Sequence, residues 1–123
     1  MITLSTFEDV FNKLVELYQG KEVEVISKQD DVHIANFLIN IDNISIKPLS
    51  KKKSKKWNKS GHKVGLIIVK AKKSGNSFNI PFLLGFNTMK ATFLKDGVSI
   101  KSLNMEFIIK KARKKRKALR KAN

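Results

Sequence analysis

The stretch Tyr18-Gln19-Gly20-Lys21-Glu22-Val23-Glu24-Val25 decides the fold class, because the spacing of apolar residues changes across it. Before it, Phe7, Val10, Phe11, Leu14, Val15 and Tyr18 recur at helical intervals and make one broad apolar face. After it, Glu22-Val23-Glu24-Val25 alternates with the period of a half-buried strand. Gly20 stands at the change and suits a helix stop, since glycine enters the left-handed region at no steric cost. The pattern predicts an amphipathic helix over residues 5–19 and a sheet after it, which is the α+β class. Ser5 with Glu8 three residues on has the form of a capping box. Glu8 and Asp9 complement the positive end of the helix dipole. The apolar face reads as core, with a partner-binding face as the alternative.

Downstream, residues 29–31 read as a turn without glycine, and residues 32–41 as a second strand rich in β-branched and aromatic side chains. Asp42-Asn43 reads as another turn and residues 44–46 as a short third strand, which Pro48 ends. Leu66-Ile67-Ile68-Val69 is unbroken apolar sequence within residues 64–72, the mark of a strand covered on both faces. Residues 73–76 form a turn and 77–86 its return strand. Pro81 lacks the N–H of a ladder, which places that strand near an edge or bulge. Gly85 and Asn87 mark a break. Residues 91–94 and 98–101 flank Asp96-Gly97, a pair that favours a tight primed hairpin turn. Residues 103–109 fit two readings: a helix from near Asn104, which is preferred, or a strand over 105–109. The expected architecture is an N-terminal amphipathic helix followed by a curled antiparallel sheet or partial small barrel of about six strands, with a basic C-terminal helix or tail. Residues 1–109 form one α+β domain with a basic loop at 50–63, and residues 110–123 a basic tail. The order of helix, glycine, alternating strand, hairpin and aspartate resembles the start of Sm-like or SH3-like barrels, a resemblance that implies the barrel form alone and assigns no residue a role.

Charge is unevenly spread. Through Ile46 there are eight acids and three lysines, a net of −5. From Lys47 onward there are 23 basic residues and two acids, a net of +21. An excess this large costs self-repulsion and is most easily kept when the partner is a polyanion. Residues 51–63 concentrate it: Lys51, Lys52, Lys53, Lys55, Lys56, Lys59 and Lys63 surround Trp57, the only tryptophan. No apolar period runs through the segment, so it reads as an extended, solvated loop. Its lysines would release counterions from phosphates, and Trp57 would stack on an unpaired base. The bland reading is a linker. The tail repeats the charge with Lys110, Lys111, Arg113, Lys114, Lys115, Arg116, Lys117, Arg120 and Lys121. Such a segment frays alone and becomes helical along a phosphate backbone. Lys70, Lys72, Lys73 and Lys90 would extend the surface.

Motifs for chemistry are sparse. The chain has no cysteine, which excludes disulfides and thiolate metal sites and suits a reducing compartment. There is no phosphate-cradling glycine loop, and no pair of histidines at metal spacing. Glu22, Glu24, Asp30, Asp31, His33 and Asp42 lie in or beside one hairpin, where two carboxylates could hold Mg²⁺. The simpler reading is a solvated strand face with aspartates in the turns. His62 among its lysines is a thin candidate for an acid or base. Phe78, Phe82 and Phe86 share a strand face, read as core with a stacking platform as the alternative. No apolar run nears the roughly 20 residues of a membrane span, and the N-terminus lacks the form of a signal peptide. The expected location is cytoplasmic.

Lysine outnumbers arginine 23 to 3. Arginine is the better bidentate reader of guanine, so backbone or structure recognition is expected ahead of base readout in a duplex. The expected function is a non-enzymatic nucleic-acid-binding protein, favouring RNA or structured or single-stranded nucleic acid, with no cofactor and no metal. One alternative is a protein-binding inhibitor or accessory factor acting on an acidic or nucleic-acid-containing partner. The second is a small nuclease.

Overall fold

The computed structural model describes residues 2–59, 61–72 and 77–112. In chain order its elements are β1 (Ile2–Leu4), α1 (Phe7–Tyr18), β2 (Glu22–Gln29), β3 (Val32–Pro48), α2 (Lys51–Ser54), β4 (Val64–Ala71), β5 (Ser77–Leu83), β6 (Lys90–Phe93), β7 (Gly97–Ser102) and β8 (Met105–Lys111). The strands form one antiparallel sheet ordered β1-β6-β7-β8-β2-β3-β4-β5. Among the described residues it is an open sheet of eight strands with two short helices, which corrects the expected curled sheet or partial barrel of about six strands; where a basic C-terminal helix or tail was expected to begin, Lys110 and Lys111 are strand, and residues 113–123 lie outside the described residues.

Helix α1 starts one residue later than the capping box suggests. Thr6 is the N-cap, and its hydroxyl accepts from the Asp9 N–H at 3.3 Å. Val10, Leu14 and Tyr18 are buried, and Phe7 stacks on Phe82 of β5 with ring centroids 4.4 Å apart. Burial pushes the Tyr18 phenol above its ordinary pKa of 10.0. The helix end is tied to β3. Gly20, at φ +82°, donates to the Ile41 carbonyl, and the Gln19 side chain accepts from the Ile44 N–H.

Three departures from the sequence reading shape the sheet. First, Asp42-Asn43 is not a turn. β3 runs through it, with a register shift between Ile41 and Asn43. Ile41 and Ile44 are both buried in the same core. Strict alternation would put residues three apart on opposite faces, so one extra residue is absorbed as a bulge. Second, residues 105–111 form a strand and not a helix. Phe107 and Ile109 face the core, and β8 fills the slot between β7 and β2. The open edges of two strands need the ladder bonds that a helix would not give. Third, Asp96-Gly97 is not a primed turn. Leu94 donates to the Gly97 carbonyl, so Lys95 and Asp96 are the two loop residues and Gly97 begins β7, and none of Lys95, Asp96 and Gly97 has the positive φ that a primed turn requires. Gly97 is required for space: a Cβ there would collide with the Ile109 carbonyl of β8.

The turn at Asp30-Asp31 forms as expected. Both residues adopt positive φ, 52° and 64°, between the paired Gln29 and Val32. Aspartate is one of the few side chains that tolerates this region. Pro81 lies on β5, an edge strand of the sheet.

The main core lies between α1 and the sheet. Its largest fully buried side chains include Phe82, Leu14, Ile41, Ile67, Ile80, Ile100 and Ile109. The sheet curls enough for the Ser102 hydroxyl of β7 to donate to the Pro81 carbonyl of β5. A second, smaller cluster lies on the other face of β4. Leu49, Val64 and Leu66 are buried there, with Trp57, Ile68 and Leu83 packed against them.

Candidate nucleic-acid interface

Strand β4 is covered on both faces. Ile67, Val69 and Ala71 enter the main core, while Val64 and Leu66 enter the smaller one. The cover on the second face is the lysine-rich segment itself. It is not an extended loop but a folded turn. Ser50 caps α2, its hydroxyl accepting from the Lys53 N–H at 3.3 Å. Trp57 and Asn58 both donate from their backbone to the Ser54 carbonyl at 3.0 Å. Ser54 is buried, and its hydroxyl accepts from the Val64 N–H at 2.9 Å. Leu49 donates to the Val64 carbonyl at 2.9 Å, closing the segment at its other end. A buried amide left unpaired costs about 1–3 kcal/mol, which makes Ser54 a specific latch between turn and strand.

Trp57 is therefore a packing residue. It is half-buried against Leu49, Val64 and Leu66. Lys51, Lys52, Lys53, Lys55, Lys56, Lys59 and Lys63 are all exposed. The apolar anchors turn inward and the ammonium groups outward, so the segment is a cationic knob on a small apolar base.

Among the described residues, the other predicted cations lie at the far end of β4 or on other strands. Lys70 is exposed near the far end of β4, about 20 Å along the strand from Val64, and Lys72 is exposed just past that end. Lys90 is on β6, five places from β4 in the sheet order. Lys110 and Lys111 belong to β8, paired with Glu24 and Val23 of β2. Lys73, Arg113, Lys114, Lys115, Arg116, Lys117, Arg120 and Lys121 lie outside the described residues.

The acidic residues are likewise spread out. Asp30 and Asp31 form the β2–β3 turn, Asp42 lies at the bulge, and Glu22 and Glu24 share the face of β2 opposite the main core. His33 is exposed, with a ring nitrogen 3.1 Å from the Ala35 carbonyl. Among the described residues no group of three or more His, Asp or Glu side chains is placed to hold a metal ion.

One feature beside the knob is not where the sequence reading put it. Phe78 and Phe82 point into the core, but Phe86 lies beyond the end of β5 and is 49 % exposed. His62 packs edge-on against it, with ring centroids 4.7 Å apart and planes at 65°. The break at Gly85 and Asn87 was the signal that separates Phe86 from the strand.

Comparison of the chain with family models, curated proteins and solved structures finds no match. Among the described residues no helix is long and apolar enough to cross a membrane.

Proposed function

We propose that this chain is a non-enzymatic nucleic-acid-binding protein, working in the cytoplasm, that holds phosphates with the lysine knob. The observation that supports this is the arrangement of residues 49–64: seven lysines, all exposed, on a turn pinned by Ser54 and packed through Trp57. A linker needs no cap, no buried hydroxyl and no apolar base. Fixing the backbone beforehand removes part of the ordering cost that a disordered basic loop pays on binding. Lysine holds phosphate as a point charge, so affinity comes with little choice of sequence. The cations at 113–121 would act as a second arm on the same polyanion, since their charge is of the same sign and density.

Fluorescence anisotropy with labelled single-stranded RNA, single-stranded DNA and duplex DNA tests the reading, over about 50 to 200 mM salt. If seven phosphates are engaged, the slope of log K against log salt is about −5 on a single strand, a loss of about a thousandfold over that range. Replacing the seven knob lysines by glutamine should flatten the slope towards zero, apart from what the tail supplies. An unchanged slope would remove the knob from the interface. The same samples on a gel, with and without Mg²⁺, should show no cleavage; metal-dependent cleavage would make the protein a nuclease.

A further inference from the structure

We propose that Phe86, held in a T-shaped contact by His62, is a stacking site for one unpaired base beside the lysine knob, so that the ligand is single-stranded there. The inference rests on the nucleic-acid reading above and adds to it the class of strand and a site that charge alone does not provide.

Three observations converge. The first is exposure. Trp57 and the seven other phenylalanines are buried or half-buried, and Tyr18 is closed into the core. Among the described residues Phe86 is the one phenylalanine, tyrosine or tryptophan that is exposed rather than buried or half-buried. An apolar ring left in water forgoes the burial that would stabilise the fold.

The second is how the ring is held. Gly61 precedes His62 at φ +88°, and Gly85 precedes Phe86 at φ +83°. A Cβ at either glycine would meet nothing within 4 Å. These glycines are therefore needed for their backbone conformation and not for close packing. Each stands in a bend or turn immediately before the ring residue. The two bends are laced together by the Leu84 N–H, which donates to the Lys63 carbonyl at 2.9 Å. The T-shaped contact with His62 then holds the Phe86 ring in place. About half of Phe86 stays exposed, and a base would stack on that exposed part of the ring.

The third is the neighbourhood. Lys59 and Lys63 bracket His62 in sequence, and both are exposed. Phosphates of a bound strand held by these lysines would bring the adjoining base to the Phe86 ring. A duplex keeps its bases stacked on each other and has no free face to offer, whereas every unpaired base has one. The imidazole of His62 can meet a phosphate or a base edge beside the stack.

The test compares Phe86→Leu and Phe86→Trp with the unaltered protein, by anisotropy at fixed salt. The probes are oligo-uridine, oligo-thymidine and a mixed-sequence duplex, each of about 12 nucleotides. Leucine keeps the bulk and apolarity of the side chain but removes the π face. Phe86→Leu should weaken single-strand binding about five- to a hundredfold and leave duplex binding and the salt slope unchanged. Phe86→Trp should restore or tighten single-strand binding. The uridine and thymidine arms show whether the strand is RNA or DNA. Equal weakening on single strand and duplex, or no weakening on either, would overturn the stacking site and leave the lysine knob standing. Failure of the unaltered protein to bind any of the three probes would overturn the nucleic-acid reading, and the stacking site with it.

Discussion

On one face of β4, Ile67 and Val69 join a core of twenty buried residues drawn from α1 and most of the strands. On the other face, Val64 and Leu66 join Leu49 in a cluster of three, roofed by Trp57. The first core makes the sheet. The second holds only the turn that carries the lysines. Stability is not uniform across a fold, and a segment with few buried contacts opens at less cost than the body it rests on. Placing seven like charges on the smaller core confines their repulsion to a part that can open without opening the rest. The lysine-bearing turn and the scaffold should thus be separable by mutation.

The sharpest way to break this division is in the larger core. Phe82 is 1 % exposed and carries the stacked ring of Phe7. Phe82→Ala should lower unfolding free energy by about 3–5 kcal/mol, read by urea denaturation, with the helix and sheet lost together. Trp57→Ala should cost less, about 1–3 kcal/mol, because the ring is only half-buried. Its mark would be local: hydrogen exchange should speed at Leu49 and Val64 while the amides of β2 and β8 stay protected. Uniform loss of protection would show that the two cores are one cooperative unit.

A gentler probe uses pH. Tyr18 closes the larger core, and its burial favours the neutral phenol. The unfolded chain ionises first, near pH 10. The tyrosine's contribution is therefore intact below about pH 10 and declines as pH rises beyond it. Tyr18→Phe should flatten that alkaline decline, while Trp57→Ala should leave it in place. If both variants keep the decline, another group governs it.

The difference between the cores also explains what could be read in advance. The larger core announces itself by period: helical spacing from Phe7 to Tyr18, alternation at Val23 and Val25, and the continuous run at Leu66-Ile67-Ile68-Val69. The smaller one has no period. Its order depends on one serine hydroxyl and one tryptophan within a run of lysines, and neither is visible to a search for repeating apolar positions. Two of the misread elements have a different cause. The bulge at Asp42 follows from Ile41 and Ile44 sharing one core, and β8 from the slot between β7 and β2. Both are decided by contacts distant in sequence, which short-range pattern does not carry. At the site, the lysines were legible as charge, but Phe86 was grouped with Phe78 and Phe82 by spacing alone.

The position of β8 has a consequence for how the chain is made. β2 is among the first strands to leave the ribosome, and one of its two neighbours, β8, is the last of the described strands. The meander β2-β3-β4-β5 can assemble from local hairpins, but its β2 edge has no partner until Phe107 and Ile109 emerge. At synthesis rates of roughly 5–20 residues per second, that edge waits for about 5–15 s. During this interval the nascent chain is a half-sheet whose open strand carries Val23 and Val25, and the final seven-residue strand acts as the keystone that joins the two halves.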